Sequence, residues 1–184
     1  MKKIVVILFI FCLNKYSQAQ SGVERGARSQ YQEVYELKND TLQTTKRSYQ
    51  EFDKKGKLLM EILLNSDSTV KSKETFIYNR KGAEIENSKF DGSGKLTWKA
   101  VTIYNKFNDK KEVMIYGNEN LLLEKTYFTY DLFNRKTEEK TVSINGTPIK
   151  RVTYSYDKKG SLIERITYND SDAIIAIKKY LYTY

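Results

Sequence analysis

The sequence predicts an all-β protein, an antiparallel β-meander built from about five to six two-strand repeats of 26 residues, as a curled or single-layer sheet. Three observations lead to this fold class. One aromatic position recurs every 26 residues. In the five complete repeats, Asp or Asn follows this aromatic and Gly or Asn comes three residues later, as tight hairpin turns require. The segments between the turns alternate in polarity, as half-buried strands do.

The N-terminus has the pattern of a secretory signal peptide. Lys2 and Lys3 precede an apolar run of ten residues, Ile4 to Leu13, and the polar stretch after it ends in small residues at Ala19. That run is about half of the roughly 20 residues that a membrane-spanning helix needs. We therefore expect residues 1–19 to be removed on export, which predicts a periplasmic, cell-surface or secreted protein without a transmembrane segment in the mature chain.

Composition excludes several classes of site. The chain has no His, and its one Cys, Cys12, lies in the predicted signal peptide. Catalytic triads with His, Cys nucleophiles and Cys/His zinc sites are therefore excluded for the processed chain, and so is a disulfide. The sequence also lacks a Gly-rich phosphate loop and a spaced set of oxygen ligands for Ca²⁺. We expect no enzyme activity, no cofactor and no bound metal.

Beyond the signal peptide, the sequence predicts a leader and one domain. Residues 20–30 show no periodicity and are predicted to be a flexible leader. Residues 31–184 form a single repeat domain, with a degenerate first hairpin over 31–46 and the repeats over 47–184. A period of this length is typical of a repeat array, in which each unit packs on its neighbours.

Each repeat contains two predicted turns. The first follows the recurring aromatic, and its last position needs a residue that tolerates positive φ, as in a type I turn closed by a one-residue bulge. Those positions are Gly56, Gly82, Asn108, Asn134 and Gly160. The second turns fall at 65–68, 91–94, 117–120, 143–146 and 169–172. The two turns leave two strands of eight or nine residues per repeat, a usual strand length.

The recurring aromatics supply the first candidate binding residues. They are Phe52, Tyr78, Tyr104, Tyr130, Tyr156 and Tyr182, of which Tyr78, Tyr104, Tyr130 and Tyr156 are the candidates. If the bulge preserves parity, Leu64, Phe90, Tyr116, Val142 and Tyr168 share their face. We expect this face to be packed, because cross-strand aromatic ladders hold sheets in register. A platform on which sugars stack is the alternative.

Two further columns of the repeat are charged. The basic column consists of Arg47, Lys73, Lys99, Lys125 and Arg151, and the acidic column of Glu86, Glu112, Glu138 and Glu164. The acids recur as faithfully as the bases, which favours ladders of exposed ion pairs. A basic stripe that binds a polyanion is the alternative, and it makes the basic column the second set of candidate binding residues. We expect no nucleic-acid partner.

The stretch Tyr154-Ser-Tyr-Asp-Lys-Lys-Gly-Ser-Leu162 has the pattern Tyr-x-Tyr-Asp-x-x-Gly-x-Leu. This pattern resembles the YD (Rhs) repeat of bacterial envelope-associated and secreted proteins, over about residues 47–184. The resemblance implies a β-rich repeat sheet, since large members look like shells around a toxin or like cell-surface proteins implicated in carbohydrate binding. This chain has too few repeats to enclose a cargo, and it departs from the pattern at Asn108 and Asn134.

These observations predict a non-enzymatic, exported cell-envelope protein whose sheet binds a glycan or a protein partner. The alternative is a structural or assembly module that associates with itself or with a partner through open sheet edges. Tyr180–Tyr184 motivates that alternative, because neither a charge nor a proline blunts this terminal stretch.

Overall fold

The structure, a computed structural model, describes residues 4–7, 28–38 and 41–183. Most of the predicted signal peptide, residues 20–27 of the predicted leader and the tip of the first hairpin lie outside the described residues. The described chain is all-β apart from one turn of 3₁₀ helix, Asn118–Asn120. The predicted fold class is confirmed.

Twelve antiparallel strands between Arg28 and Lys179 form one open sheet, and a short strand pairs with its first edge. Neighbours in the sheet follow the order of the chain, as in a meander. The strands are β1 (Ile4–Ile7), β2 (Arg28–Lys38), β3 (Thr41–Phe52), β4 (Leu58–Leu64), β5 (Val70–Tyr78), β6 (Glu84–Asp91), β7 (Leu96–Tyr104), β8 (Lys110–Tyr116), β9 (Leu122–Tyr130), β10 (Lys136–Ser143), β11 (Pro148–Tyr156), β12 (Leu162–Tyr168) and β13 (Ile174–Lys179).

The first hairpin is longer than predicted. Arg28 pairs with Phe52, so three residues assigned to the flexible leader are strand. They are ordered because β3 runs on to Phe52 and offers them ladder partners. The short β1 pairs with residues 33–36 of β2, and it lies in the range predicted to be removed on export.

The turns have the predicted chemistry. Positive φ occurs at Gly56, Gly82, Asn108, Asn134 and Gly160 in the first turns, and at Ser68, Gly94, Asn120, Gly146 and Asp172 in the second. In the five complete repeats, the residue after the recurring aromatic caps its turn with its side chain. Asn105 Oδ1, for example, accepts hydrogen bonds from the N–H groups of Phe107 and Asp109, each at 2.9 Å. A small set of local bonds therefore fixes the position of each of these five turns.

The described strands form a single layer, so few side chains are fully buried. Val152 is 2 % exposed and is the one buried apolar residue among those described. The buried polar residues are Ser48, Ser88 and Thr167. The sheet therefore depends on ladder hydrogen bonds and on contacts between neighbouring strands more than on a central core.

The predicted division of residues between the two faces is wrong in part. Glu51 pairs with Met60 but Phe52 pairs with Leu58, so the bulge adds one residue to β4 and none to β3. A one-residue insertion exchanges the faces on which odd and even positions lie. As a result Leu64, Phe90, Tyr116, Val142 and Tyr168 pair with Arg47, Lys73, Lys99, Lys125 and Arg151, not with the recurring aromatics. We call the side that carries Tyr78, Tyr104, Tyr130 and Tyr156 the tyrosine face, and the other side the charged face.

Candidate functional site

The four candidate tyrosines make the same hydrogen bond in every repeat. Each hydroxyl donates to the backbone carbonyl of the first residue of the preceding strand, 20 residues earlier in the chain. The bonds are Tyr78 to Leu58 (2.9 Å), Tyr104 to Glu84 (2.7 Å), Tyr130 to Lys110 (2.8 Å) and Tyr156 to Lys136 (2.8 Å). The hydroxyls thus tie the end of one strand to the start of its neighbour, beside the bulge.

The environment of these tyrosines keeps the hydroxyl protonated. Burial is the largest cause that raises the pKa of all four, and nearby carboxylates add to it for Tyr78, through Glu84 and Asp53. Basic side chains also lie over some of the rings. Lys57 Nζ is 4.5 Å from the centre of the Tyr78 ring, and Arg135 Cζ is 4.9 Å from that of Tyr156. The hydroxyls and part of the ring surface are therefore engaged within the sheet.

Three members of the basic column are neutralised by carboxylates. Arg47 Nε lies 2.9 Å from Glu33 Oε1, and Lys125 Nζ lies 3.4 Å from Glu112 Oε1. Arg151 approaches Asp172 at 2.6 Å and Glu138 at 4.0 Å. The ion pairs of Lys125 and Arg151 with Glu112 and Glu138 join the two predicted columns, as expected for a ladder of exposed pairs.

The other two bases lie over aromatic rings. Lys73 Nζ is 5.8 Å from the centre of the Phe90 ring, and Lys99 Nζ is 4.5 Å from that of Tyr116. These rings belong to the set that the wrong parity rule placed on the tyrosine face. The charged face therefore carries bases that alternate with acids and aromatic rings, an arrangement that reduces the positive field needed to hold a polyanion.

A groove of about 330 Å³ opens on the tyrosine face across β8 to β11. A row of small side chains, Val113, Thr126 and Thr141, crosses it on three successive strands. The next row on one side carries Phe128 opposite Glu139, and the next row on the other side carries Ile115 opposite Glu124. Longer side chains thus flank a row of short ones, and Lys110, Lys150 and Val152 complete the lining.

Several polar side chains of this groove are held in place by hydrogen bonds. The hydroxyls of Thr126 and Thr141 lie 2.9 Å apart, within hydrogen-bond distance. Glu139 Oε1 accepts hydrogen bonds from Tyr154 Oη, at 2.9 Å, and from Lys136 Nζ. Burial acts to raise the pKa of Glu139, but the hydrogen bonds from Lys136 and Tyr154 outweigh it and leave the pKa lowered. Glu139 is therefore an ionised acceptor held in place.

The sequence prediction did not name the groove residues. Thr126 stands where Glu74 stands two repeats earlier, and Thr141 where Lys89 stands. A short side chain replacing a long one at the same phase of the repeat is the signal in the sequence that points to a depression in the sheet. The reversal of parity hid this signal, because it concealed which positions are neighbours.

Within residues 4–7, 28–38 and 41–183, no group of three or more Asp, Glu, His or Cys side chains is placed to hold a metal ion. In the same part of the chain, no helix has the length and apolar character needed to cross a membrane.

No family model and no curated protein matches the sequence. In structure, the chain is similar to the crystal structure of TcdB2-TccC3-TEV, with a TM-score of 0.58 and 14 % sequence identity. The alignment covers 86 % of this chain and 9 % of that chain. At this identity the likeness concerns the fold alone. The chain is thus a β-sheet repeat module that shares its fold with a short part of a much longer protein.

Proposed function

We propose that this chain is a non-enzymatic, exported cell-envelope module that binds a glycan or a protein partner through its sheet, with the groove on the tyrosine face as the binding site. The observation that carries the proposal is the composition of the groove. One aromatic ring, Phe128, and two carboxylates, Glu124 and Glu139, lie around the paired hydroxyls of Thr126 and Thr141.

This chemistry suits a sugar. A sugar ring offers an apolar face of C–H groups, which packs on an aromatic ring, and hydroxyls that both donate and accept hydrogen bonds. The groove supplies acceptors at the two carboxylates and a donor at Lys150. Protein partners present the same groups less densely, so a glycan is the first ligand to test.

The non-enzymatic character rests on the same residues. A general acid in glycoside hydrolysis needs a raised pKa, whereas the hydrogen bonds from Lys136 and Tyr154 lower that of Glu139. Export rests on the N-terminal pattern of Lys2, Lys3 and the apolar run. The hydroxyls of the candidate tyrosines are engaged within the sheet, three bases of the basic column are paired with carboxylates and the other two lie over aromatic rings. The expected site therefore moves away from both sets.

The test is an array of bacterial envelope polysaccharides, followed by calorimetric titration of any ligand found. Phe128→Ala and Glu124→Gln are expected to weaken binding at least about tenfold, since each removes a ring or a charge from the groove. Tyr127→Ala is the matched control, because Tyr127 adjoins Phe128 but lies on the charged face and is 43 % exposed. Equal losses in the control, or no bound polysaccharide, would remove the glycan proposal.

A second candidate function, assembly through a sheet edge, is favoured by β13. All six of its residues are exposed, and no described strand pairs with its outer edge. The sequence predicts Tyr180–Tyr184 as the edge segment, but the edge strand β13 ends at Lys179. Tyr180 still continues the ladder, because it donates its N–H to the Ile163 carbonyl at 2.9 Å. If this function operates, the Ile177 and Lys179 amides should exchange hydrogen more slowly when the binding partner is present. Unchanged exchange with every envelope fraction would exclude it.

A further inference from the structure

We infer that the outer edge of β13 pairs in antiparallel orientation with β13 of a second copy of this chain. The inference rests on the second proposed function, assembly through an edge, and names its partner. Three features of β13 support the inference: its outward-facing backbone groups, the charges at its two ends and its apolar side chains.

The backbone groups that face outward follow from the ladder. Tyr180 donates its N–H inward to Ile163, and residues of an antiparallel ladder alternate between inward and outward bonding. Lys178 therefore also bonds inward, whereas Ile177 and Lys179 direct their N–H and C=O groups outward. In the described part of the sheet no strand lies on that side. These groups form an open template for another strand.

The charges select the orientation. Asp170 and Asp172 lie in the turn before β13, and Lys178 and Lys179 end the strand. Antiparallel pairing of two copies brings the acidic end of each strand beside the basic end of the other, while parallel pairing would bring like charges together. Asp172 already binds Arg151, so the exposed Asp170 is the carboxylate that an incoming lysine meets. The edge is self-complementary.

The apolar residues of β13 lie between these charges. Ile174, Ile175 and Ile177 are 54 %, 61 % and 51 % exposed. A two-fold axis midway between the acidic and basic ends passes through this stretch, so the isoleucines of the two copies would cover each other. Because the same edge is used twice, the pairing closes as a dimer and does not extend into a filament.

The first test is the mass of the chain in solution, measured by sedimentation equilibrium over a wide range of concentrations. The chain is expected to be a dimer that dissociates on dilution. Ile177→Pro should be monomeric, since it removes an outward N–H and spares the inward ladder with β12. Ile177→Val keeps the N–H and should remain dimeric. A chain that is monomeric at every concentration would overturn the inference.

The second test does not depend on tolerance of a proline. Asp170→Lys and Lys178→Glu should each weaken the dimer about three- to tenfold, because each change affects two symmetric ion pairs, and the double variant should regain most of the loss. If neither Ile177→Pro nor the charge changes alter the dissociation constant of the dimer, its interface lies elsewhere. A monomer whose Ile177 amide is protected by another protein would overturn self-pairing but retain edge assembly.

Discussion

Replacing a recurring tyrosine by phenylalanine tests whether its hydroxyl holds the sheet together. Tyr130→Phe removes the 2.8 Å hydrogen bond to the Lys110 carbonyl and leaves the ring in place. A bond of this kind contributes about 0.5–1.5 kcal/mol net, and the carbonyl is accessible enough for water to replace part of it. We therefore expect the free energy of unfolding to fall by about 1 kcal/mol.

Removing all four hydroxyls amplifies the effect. Equivalent tyrosines are two strands apart, about 9.6 Å, and do not share a hydrogen-bond partner, so their losses should nearly add. The variant with Phe at all four candidate tyrosines should lose about 4 kcal/mol, out of the roughly 5–15 kcal/mol that holds a typical domain together. The four bonds thus represent a large share of the stability of a sheet that has one layer.

Urea unfolding followed by circular dichroism measures the loss. With a denaturant slope of about 2 kcal/mol/M, the single change should lower the midpoint by about 0.5 M and the fourfold change by about 2 M. Tyr127→Phe, on the charged face of β9, is the control and should leave the midpoint unchanged. A fourfold variant as stable as the wild type would refute the structural role. If it also failed to bind the ligand, the hydroxyls would belong to the binding site.

Three further predictions concern the turns and the titration of the tyrosines. Asn105→Ala removes the acceptor of two backbone N–H groups and should cost about 1 kcal/mol in urea unfolding, whereas Asn105→Asp should cost less. Gly56→Ala should also cost about 1 kcal/mol in urea unfolding, from φ alone, because no atom lies within 4 Å of the added Cβ. Burial raises the pKa of Tyr130 above its ordinary value of 10.0, so the folded state favours the protonated hydroxyl. The stability that this hydroxyl contributes is fully present below pH 10.0 and is lost as the pH rises through the folded-state pKa. A melting temperature that stays constant from about pH 9 to 12 would contradict this.

The period, the turns and the strand lengths could be predicted from the sequence because they depend on residues close together in the chain. Gly56 and Asn105 identify their hairpins through local backbone preference alone. The faces could not be assigned in the same way, because the result depends on which strand takes the extra residue of the bulge. That choice reverses the side on which Phe90 and Tyr168 lie.

The groove depends on longer-range information still. Thr126 and Thr141 are far from unusual as strand residues, and they form a depression only because register places them beside each other and beside Val113. The boundary of the leader likewise depended on a partner, since Arg28–Gln30 are strand only because β3 reaches Phe52. Pairing between strands, rather than local preference, decided each of these features.

Because each strand pairs only with its neighbours in the sequence, the stability of each repeat should not depend on how many repeats the sheet contains. Contacts between strands are almost entirely those between sequence neighbours, so the free energy of unfolding approximates a sum over hairpins and the junctions between them. Opening should start at the outermost strands and progress inward, which gives a gradient of amide protection along the chain. Inserting or deleting one 26-residue unit would change the width of the sheet by two strands and leave the geometry of the remaining repeats intact.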